Sequence, residues 1–304
     1  MPFADLFSPL VPTVRAAVRL SLTCSLLAAA GAACAGDRLL GTWGVTEVEG
    51  AGGGGLVPWA TITGTGASDQ NGGSAFATTL HTGGGYDLKI AGAAVGLHDH
   101  VELSMARWSF KLSDVVPGKA LDMTVAGAKF KVAGDAVYDQ DTWLPQISVG
   151  AMYKQVDDAD LVRALGATST SDIEVYATAT KLWLGAAVGR NLIASGAVRL
   201  SKANQFGLAG FGGPGRDQRR LLLEGSLGVM LRDDLVVGAE YRMKPNNLAV
   251  SPGTQILKED DAWDVFVAWF PARIGSITLA WVNLGNIVSK ESQDGLYVSG
   301  QLAF

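Results

Sequence analysis

The chain is poor in the residues that carry most side-chain chemistry. Cysteine occurs twice in 304 residues, as Cys24 and Cys34, and histidine three times, as His81, His98 and His100. Both cysteines lie in a segment that reads as a removable leader, so the mature chain is expected to lack a thiol for disulfides, zinc or nucleophilic catalysis. Charged residues make up only 17% of the chain and the formal charge is −5, which gives no footing for a nucleic-acid partner or a disordered charged tail. No uninterrupted apolar run reaches the roughly 18 residues that a membrane-spanning helix needs. Yet 48% of the residues are apolar, and glycine is abundant at 39.

A closed β-sheet in lipid reconciles those facts. In hydrocarbon every backbone amide must be paired, which helices and closed barrels achieve, and a barrel needs apolar side chains on only every second residue. The alternation is explicit. Leu221, Leu223, Gly225, Leu227, Val229 and Leu231 interleave with residues that include Glu224, Ser226 and Arg232. Leu235, Val237, Ala239, Tyr241 and Met243 repeat the rhythm against Glu240, Arg242 and Lys244, and the segments beginning near 147 and 192 do the same. The chain closes on Leu296, Val298, Gly300, Leu302 and Phe304 facing one way and Tyr297, Ser299, Gln301 and Ala303 the other. A final strand of this form with a terminal aromatic is read as the assembly signal that a barrel presents for insertion, so barrel assembly machinery is an expected partner.

The first 35 residues read as a secretory leader: Arg15 and Arg19 supply positive charge, residues 20–30 are largely apolar, and Ala33-Cys34-Ala35 is a small-x-small cleavage site. Gly31 stands where a lipid-anchored leader usually has a bulky aliphatic, which argues against cleavage just before Cys34. Residues 36–304 then form one barrel domain in the outer membrane. Removing Arg15, Arg19 and Asp5 leaves 22 basic and 28 acidic residues, a mature charge of −6.

Connections sort into tight ones (96–100, 185–190, 232–234, 271–275) and long ones (156–171, 203–218, 244–260), with 134–145 long for its side. In outer-membrane barrels tight turns face the periplasm and long loops face outside. Counting back from Phe304, strands are predicted to begin near residues 296, 275, 261, 235, 219, 191, 172, 143, 121, 101, 86, 74 and 59. That number is odd, so residues 39–48 are expected to supply one more strand, joined to the next by the glycine run 50–55. The expected fold is all-β, a transmembrane antiparallel up-and-down β-barrel of about 14 strands. The alternative is 12 strands, with the first segments folded inside as a plug. Trp143, Trp183, Trp263, Trp269 and Tyr153 fall near predicted strand ends, where interfacial aromatics gather. β-favouring core aromatics in a soluble barrel would look the same.

Several blocks of the sequence carry a resemblance: Glu47-Val-Glu-Gly-Ala-Gly-Gly-Gly-Gly-Leu-Val-Pro-Trp59, Val101-Glu-Leu-Ser104, Asn204-Gln-Phe-Gly207, Gly238-Ala-Glu-Tyr-Arg242 and Glu259-Asp-Asp-Ala-Trp-Asp264. With these the chain resembles, over essentially its whole mature length, a family of proteobacterial outer-membrane proteins known as domain of unknown function 3034. The resemblance implies a β-barrel envelope protein and brings no activity, substrate or catalytic residue with it.

Glu102, Lys154, Glu174, Arg199, Glu224, Glu240 and Arg242 take the inward parity of their strands. A charge on the lipid side near the midplane costs roughly 2 to 4 kcal/mol for Arg or Lys. They are read as lining a lumen that guides small polar solutes, with cross-barrel ion pairs that merely brace the interior as the other reading. About 14 strands leave some lumen, so a narrow or plugged path is expected. On this reading Glu224→Gln is tolerated while Leu223→Arg impairs assembly. Other constellations carry less. The acidic groups Asp135, Asp139, Asp141 and Glu259, Asp260, Asp261, Asp264 read as hydrated loops rather than metal sites, though an exterior one suits cation-bridged lipopolysaccharide. Gly50–Gly55 lacks the Lys-Ser/Thr of a phosphate loop, and Gly210-Phe-Gly-Gly-Pro-Gly215 lacks the helix of a dinucleotide fold. The histidines belong to no His-Ser arrangement, so neither an enzyme nor a cofactor is expected. The functional expectation is a passive pore or facilitator for small solutes. Its rival is a closed barrel whose long loops bind a surface partner or lipopolysaccharide.

Overall fold

The computed structural model describes residues 38–112, 117–214, 216–249 and 252–304. The leader reading falls on residues outside these. Twelve antiparallel strands form a closed barrel: β3 (Asn71–Thr82), β4 (Asp87–Leu97), β5 (Val101–Lys111), β6 (Ala120–Ala133), β7 (Gln146–Val156), β8 (Ser171–Ala187), β9 (Arg190–Ser201), β10 (Arg220–Arg232), β11 (Leu235–Arg242), β12 (Ala262–Ala272), β13 (Gly275–Asn283) and β14 (Asp294–Ala303). Each strand pairs with the next in the chain, and β14 closes on β3 through a register that sets Leu296 beside His81 and Ala303 beside Ser74. The predicted starts from 74 to 296 match these strands to within three residues.

The two earliest predicted strands are not part of the wall. Residues 39–48 and the segment from Trp59 lie inside the barrel, so the alternative count of 12 holds and the count of 14 is corrected. Within this plug, residues 38–66, β1 (Val45–Thr46) and β2 (Gly52–Gly53) form a two-stranded ladder of their own. Trp43, Val48, Leu56, Val57, Trp59 and Ile62 are all buried, which explains why they resemble strand residues without showing a wet face. The physical reason for a plug is barrel size. Eight strands close around an interior that side chains alone fill, and twelve do not.

The strands divide their faces as a membrane wall must. Leu223, Leu227, Val265, Leu279, Leu296 and Leu302 point outward and are exposed, whereas Glu224, Ser226, Asp264, Thr278 and Gln301 point inward and are buried. Trp263 and Trp269 stand outward at opposite ends of β12, and Tyr153 and Trp143 are exposed, in keeping with interfacial aromatics. Trp183 is half-buried.

The plug enters from the end that bears the tight turns. Arg38 bonds there to Asp99, in the β4–β5 turn. At the same end Phe304 carbonyl oxygen accepts from the amides of Gly73 (2.7 Å) and Thr65 (3.2 Å), tying the final strand to the base of the plug. At the opposite end the described parts of the long loops fold over the mouth. A short helix, α1 (Ala159–Ala164), is capped by Asp158, whose side chain accepts from the Leu161 amide. Backbone bonds from Phe211 N to Ser169 O (2.9 Å) and from Thr168 N to Phe211 O (3.1 Å) join the β7–β8 loop to the β9–β10 loop. Gln205 Nε2 donates to Asn286 O (2.6 Å) and Lys244 Nζ to Leu284 O (2.6 Å), so the β11–β12 and β13–β14 loops are knitted into the same lid.

Candidate functional site

The interior has two storeys of opposite chemistry. The lower one is a hydrogen-bonded and ionic seat for the plug tip. Irregular backbone at membrane depth survives only when protein groups satisfy its amides and carbonyls. Wall side chains do that here. Glu102 accepts from the amides of Gly52 (3.0 Å) and Thr63 (2.8 Å), and Glu240 accepts from Leu56 N (2.6 Å). Lys129 Nζ donates to Gly52 O and Trp59 O, and Arg242 Nη1 to Leu56 O. Thr180 and Ser148 hold the two sides of Ala60. The glycine run therefore serves close approach. A Cβ on Gly54 would collide with the Glu240 carboxylate, and one on Gly44 with Gly53 O.

Two plug carboxylates, Glu47 and Glu49, complete the seat. Glu49 bonds Lys154, Arg199 Nη1 (3.0 Å) and Arg242 Nη2 (2.8 Å), reaching three wall strands. Arg199 also meets Glu174 (3.0 Å) and holds Glu224 through Nε (2.5 Å) and Nη2 (3.2 Å). Glu47 is 3.8 Å from Arg242. All seven residues expected to line a lumen are thus buried and gathered around the plug: Glu102, Lys154, Glu174, Arg199, Glu224, Glu240 and Arg242. Sequence reasoning missed Glu47, Glu49 and Lys129, and it placed Asp264 in a hydrated loop, whereas that residue is buried on β12 and faces the plug. The signal for the first two was their lying two residues apart at the foot of the glycine run.

Carboxylates outnumber cations in this seat. Glu47, Glu49, Glu102, Glu174, Glu224, Glu240 and Asp264 face Lys129, Lys154, Arg199 and Arg242. The excess lies on β11 and β12, where Glu240 and Asp264 are direct cross-strand neighbours. Neither has an ion-pair partner among the described residues.

The upper storey is apolar. A cavity of about 100 Å³ lies between the plug tip (Val48, Leu56), the wall (Leu80, Leu88, Trp108, Phe110) and the underside of the lid (Leu161, Leu165, Leu208, Leu284). Phe206 forms the partition between storeys. Its ring packs over the Arg242 guanidinium at 4.8 Å and beside Trp108 at 6.4 Å, and its carbonyl accepts from Lys154. Gln205 and Phe206 both hold left-handed backbone, at φ 47° and 60°, which non-glycine residues rarely adopt. Glu259 Oε2, accepting from Gln205 N (2.8 Å), and Lys244 Nζ, donating to Gln205 Oε1 (3.1 Å), pin that turn. Burial pushes the Glu259 carboxyl up to about 7, against the opposing pull of Lys244. Burial likewise lowers the Lys244 ammonium, against Glu259, Asp261 and Asp260.

The remaining candidates disperse. His81 Nδ1 is 2.6 Å from Asp87 on the exposed outer face, with no hydroxyl bonded to it among the described residues. Asp135 accepts from the amides of Val137 and Tyr138 and from Lys131, so it organises a turn. In the second acidic run Glu259 faces the lid, Asp261 takes Tyr241 and the Lys244 amide, and Asp264 faces the plug. Among the described residues no three such groups gather to hold a metal.

The fold and this interior define a transmembrane β-barrel of the outer-membrane type, occluded by its own N-terminal segment. The chain belongs to the DUF3034 family, described as protein of unknown function, whose model matches residues 42–301. No curated protein matches it in sequence. Among solved structures it is similar to the outer membrane protein Omp33 of Acinetobacter baumannii at 7% identity and a TM-score of 0.46, over 78% of this chain and 100% of that one. It is also similar to outer membrane phospholipase A from Escherichia coli at 10% identity and a TM-score of 0.38, over 76% and 95%. The barrel assignment rests on the twelve closed strands themselves.

Proposed function

We propose that this protein is an outer-membrane facilitator for small solutes whose path is closed at rest and opens when plug and lid move. On this reading residues 1–35 are a cleaved leader, the tight turns face the periplasm, the lid faces outside, and lipid and lipopolysaccharide surround the wall. Leu296, Val298, Gly300, Leu302 and Phe304 serve assembly. The observation that carries the proposal is the seat itself. A wall built to hold a separable segment through side-chain bonds, rather than to merge it into the sheet, suits a part that moves. The charge lining expected to guide solutes serves in this reading to hold the gate.

Planar-bilayer recordings test it. The intact barrel should be nearly silent with rare openings, and Glu47→Gln/Glu49→Gln, which removes the plug's two carboxylates, should raise the open fraction by at least tenfold. Silence in both proteins across voltage and salt would refute gated passage. Steady conductance in the unaltered barrel would refute the closed resting state.

A further inference from the structure

We infer that the upper chamber is a binding site for a small, uncharged hydrophobic molecule of about single-ring aromatic size. The inference deepens the gated-passage reading by naming the solute class, and it rests on that reading only for the idea that the bound molecule travels onward.

Size comes first. Well-packed interiors leave few voids larger than a water molecule, yet this chamber measures about 100 Å³. Apolar cavities of roughly 150 Å³ stay dry and take up benzene. The position argues for a purpose, because the chamber is bounded by three separate parts of the chain: plug tip, wall and lid.

Chemistry comes second, and it excludes polar occupants. Each polar group at the chamber edge is already committed to the protein. Trp108 Nε1 donates to Val48 O (2.7 Å), Tyr86 OH donates to Ile287 O (3.3 Å), and Gln205 spends its amide on Asn286 and Lys244. No lining residue has a buried polar atom left without a partner among the described residues. A charged ligand would lose its hydration and find nothing in return. Aromatic faces from Trp108, Phe110 and Phe206 favour a flat ring over a long chain.

The third observation is the strained turn beneath it. Left-handed backbone is costly for non-glycine residues and is held at Gln205 by Glu259 and Lys244, and such strain collects at ligand clamps and switches. Here it aims the Phe206 ring at the partition between chamber and charged seat. A ligand in the chamber lies against the same ring that covers Arg242. The chamber is thereby coupled to the plug without any polar contact from the ligand.

Fluorine NMR of 4-fluorotoluene with the full barrel in lipid nanodiscs reads occupancy directly, with protein-free nanodiscs measuring partition into lipid. The expected result is a saturable excess of one equivalent per barrel, reduced at least tenfold in Ala209→Phe, which fills the chamber from the lid. The charged, similarly sized 4-fluorobenzoate should show no saturable excess. Because Ala209→Phe is able to disturb the lid, Leu88→Ala provides the opposite test by enlarging the chamber from the wall. It should admit 1-fluoronaphthalene, which the unaltered protein rejects. No saturable excess of 4-fluorotoluene, an undiminished excess in folded Ala209→Phe, equal uptake of 4-fluorobenzoate, or equal 1-fluoronaphthalene uptake with and without Leu88→Ala would each overturn the inference. None of these readouts is a conductance, so loss of the binding site and loss of gating are separable outcomes.

Discussion

Replacing Arg199 by methionine tests whether the charged seat stabilises the closed barrel or merely occupies it. The guanidinium is 1% exposed and holds Glu224 through two nitrogens, Glu49 and Glu174 through a third, with the Tyr176 ring 5.3 Å away. Methionine keeps much of the volume and removes the charge. Glu49 retains Lys154 and Arg242, and Glu174 retains Lys154, but Glu224 is left with Arg242 Nε at 3.4 Å. Breaking a buried pair by removing one partner costs about 3 to 5 kcal/mol, because the other charge stays buried. At about 2 to 4 °C per kcal/mol for chains of 150 to 250 residues, the midpoint of the heat-modifiable gel shift should fall by roughly 10 °C. The double variant Arg199→Met/Glu224→Leu removes the stranded carboxylate and should recover most of the loss. Arg199→Lys keeps the charge but not the fork and should fall between. A midpoint within about 2 °C of the parent for Arg199→Met, or no recovery in the double variant, would refute the idea that these charges act as one unit.

Three other outcomes follow from particular contacts. Leu223→Arg places a charge on the lipid face of β10 and should cost about 2 to 4 kcal/mol if it lies near the midplane, visible as lost heat-modifiable protein in membranes. Gly54→Ala drives a Cβ into the Glu240 carboxylate, so it should unseat the plug while leaving the sheet intact, giving protease access to residues 38–66 with an unchanged β-sheet circular dichroism signal. Glu259 makes lid docking pH-dependent. Its folded pKa of about 7 exceeds the ordinary 4.5, so the folded lid binds more protons in that window and its stability falls as pH rises from 4.5 to 7, by about 3 kcal/mol at 1.36 kcal/mol per unit. The lowered Lys244 works in the opposite sense, but only above its own folded pKa. Limited proteolysis of the lid should therefore be faster at pH 8 than at pH 5, and Glu259→Gln should flatten the difference.

The wall was legible because its two faces meet different solvents. Leu221, Leu223 and Leu227 against Glu224 and Ser226 leave no other reading of β10, and tight turns such as 232–234 placed the register. The plug was not legible by the same rule. Trp43, Val45, Val48 and Ile62 have protein on every side, so they satisfy strand composition without imposing a period of two, and nothing local separates wall from filling. The contacts of Glu224 argue against the expected tolerance of Glu224→Gln for a related reason. Inward parity does not mean water here: Glu224 meets Arg199 and Arg242 and should not be replaced freely. The chamber is not legible in the sequence because a third of its lining comes from the long connections 156–171 and 203–218, which read as exterior loops. The overlooked signal was Leu161, Leu165, Phe206 and Leu208, large apolar side chains in connections that would otherwise be expected to be polar.

The two storeys impose opposite demands, and that opposition bears on what can cross. An ion entering from the lid side meets an apolar chamber with no free hydrogen-bonding partner, so it loses its hydration before it reaches any charge. On the proposed reading a small hydrophobic molecule occupies the chamber but then meets Phe206 and, beneath it, a plug held by Glu49, Arg199 and Arg242. In the proposed closed state neither solute crosses by diffusion alone. The strained Gln205–Phe206 turn is in contact with lid, chamber and charged seat together: Gln205 bonds Glu259 and Lys244, Phe206 lines the chamber, and its ring and carbonyl meet Arg242 and Lys154. Relaxing those two residues to ordinary backbone would withdraw the aromatic cover from Arg242 and loosen the lid in the same movement. In the proposed gate this turn joins all three parts, and conduction is expected to be sensitive there: Gln205→Gly/Phe206→Gly, which removes both the strain and the ring, should open the barrel more than any substitution of similar size in the wall.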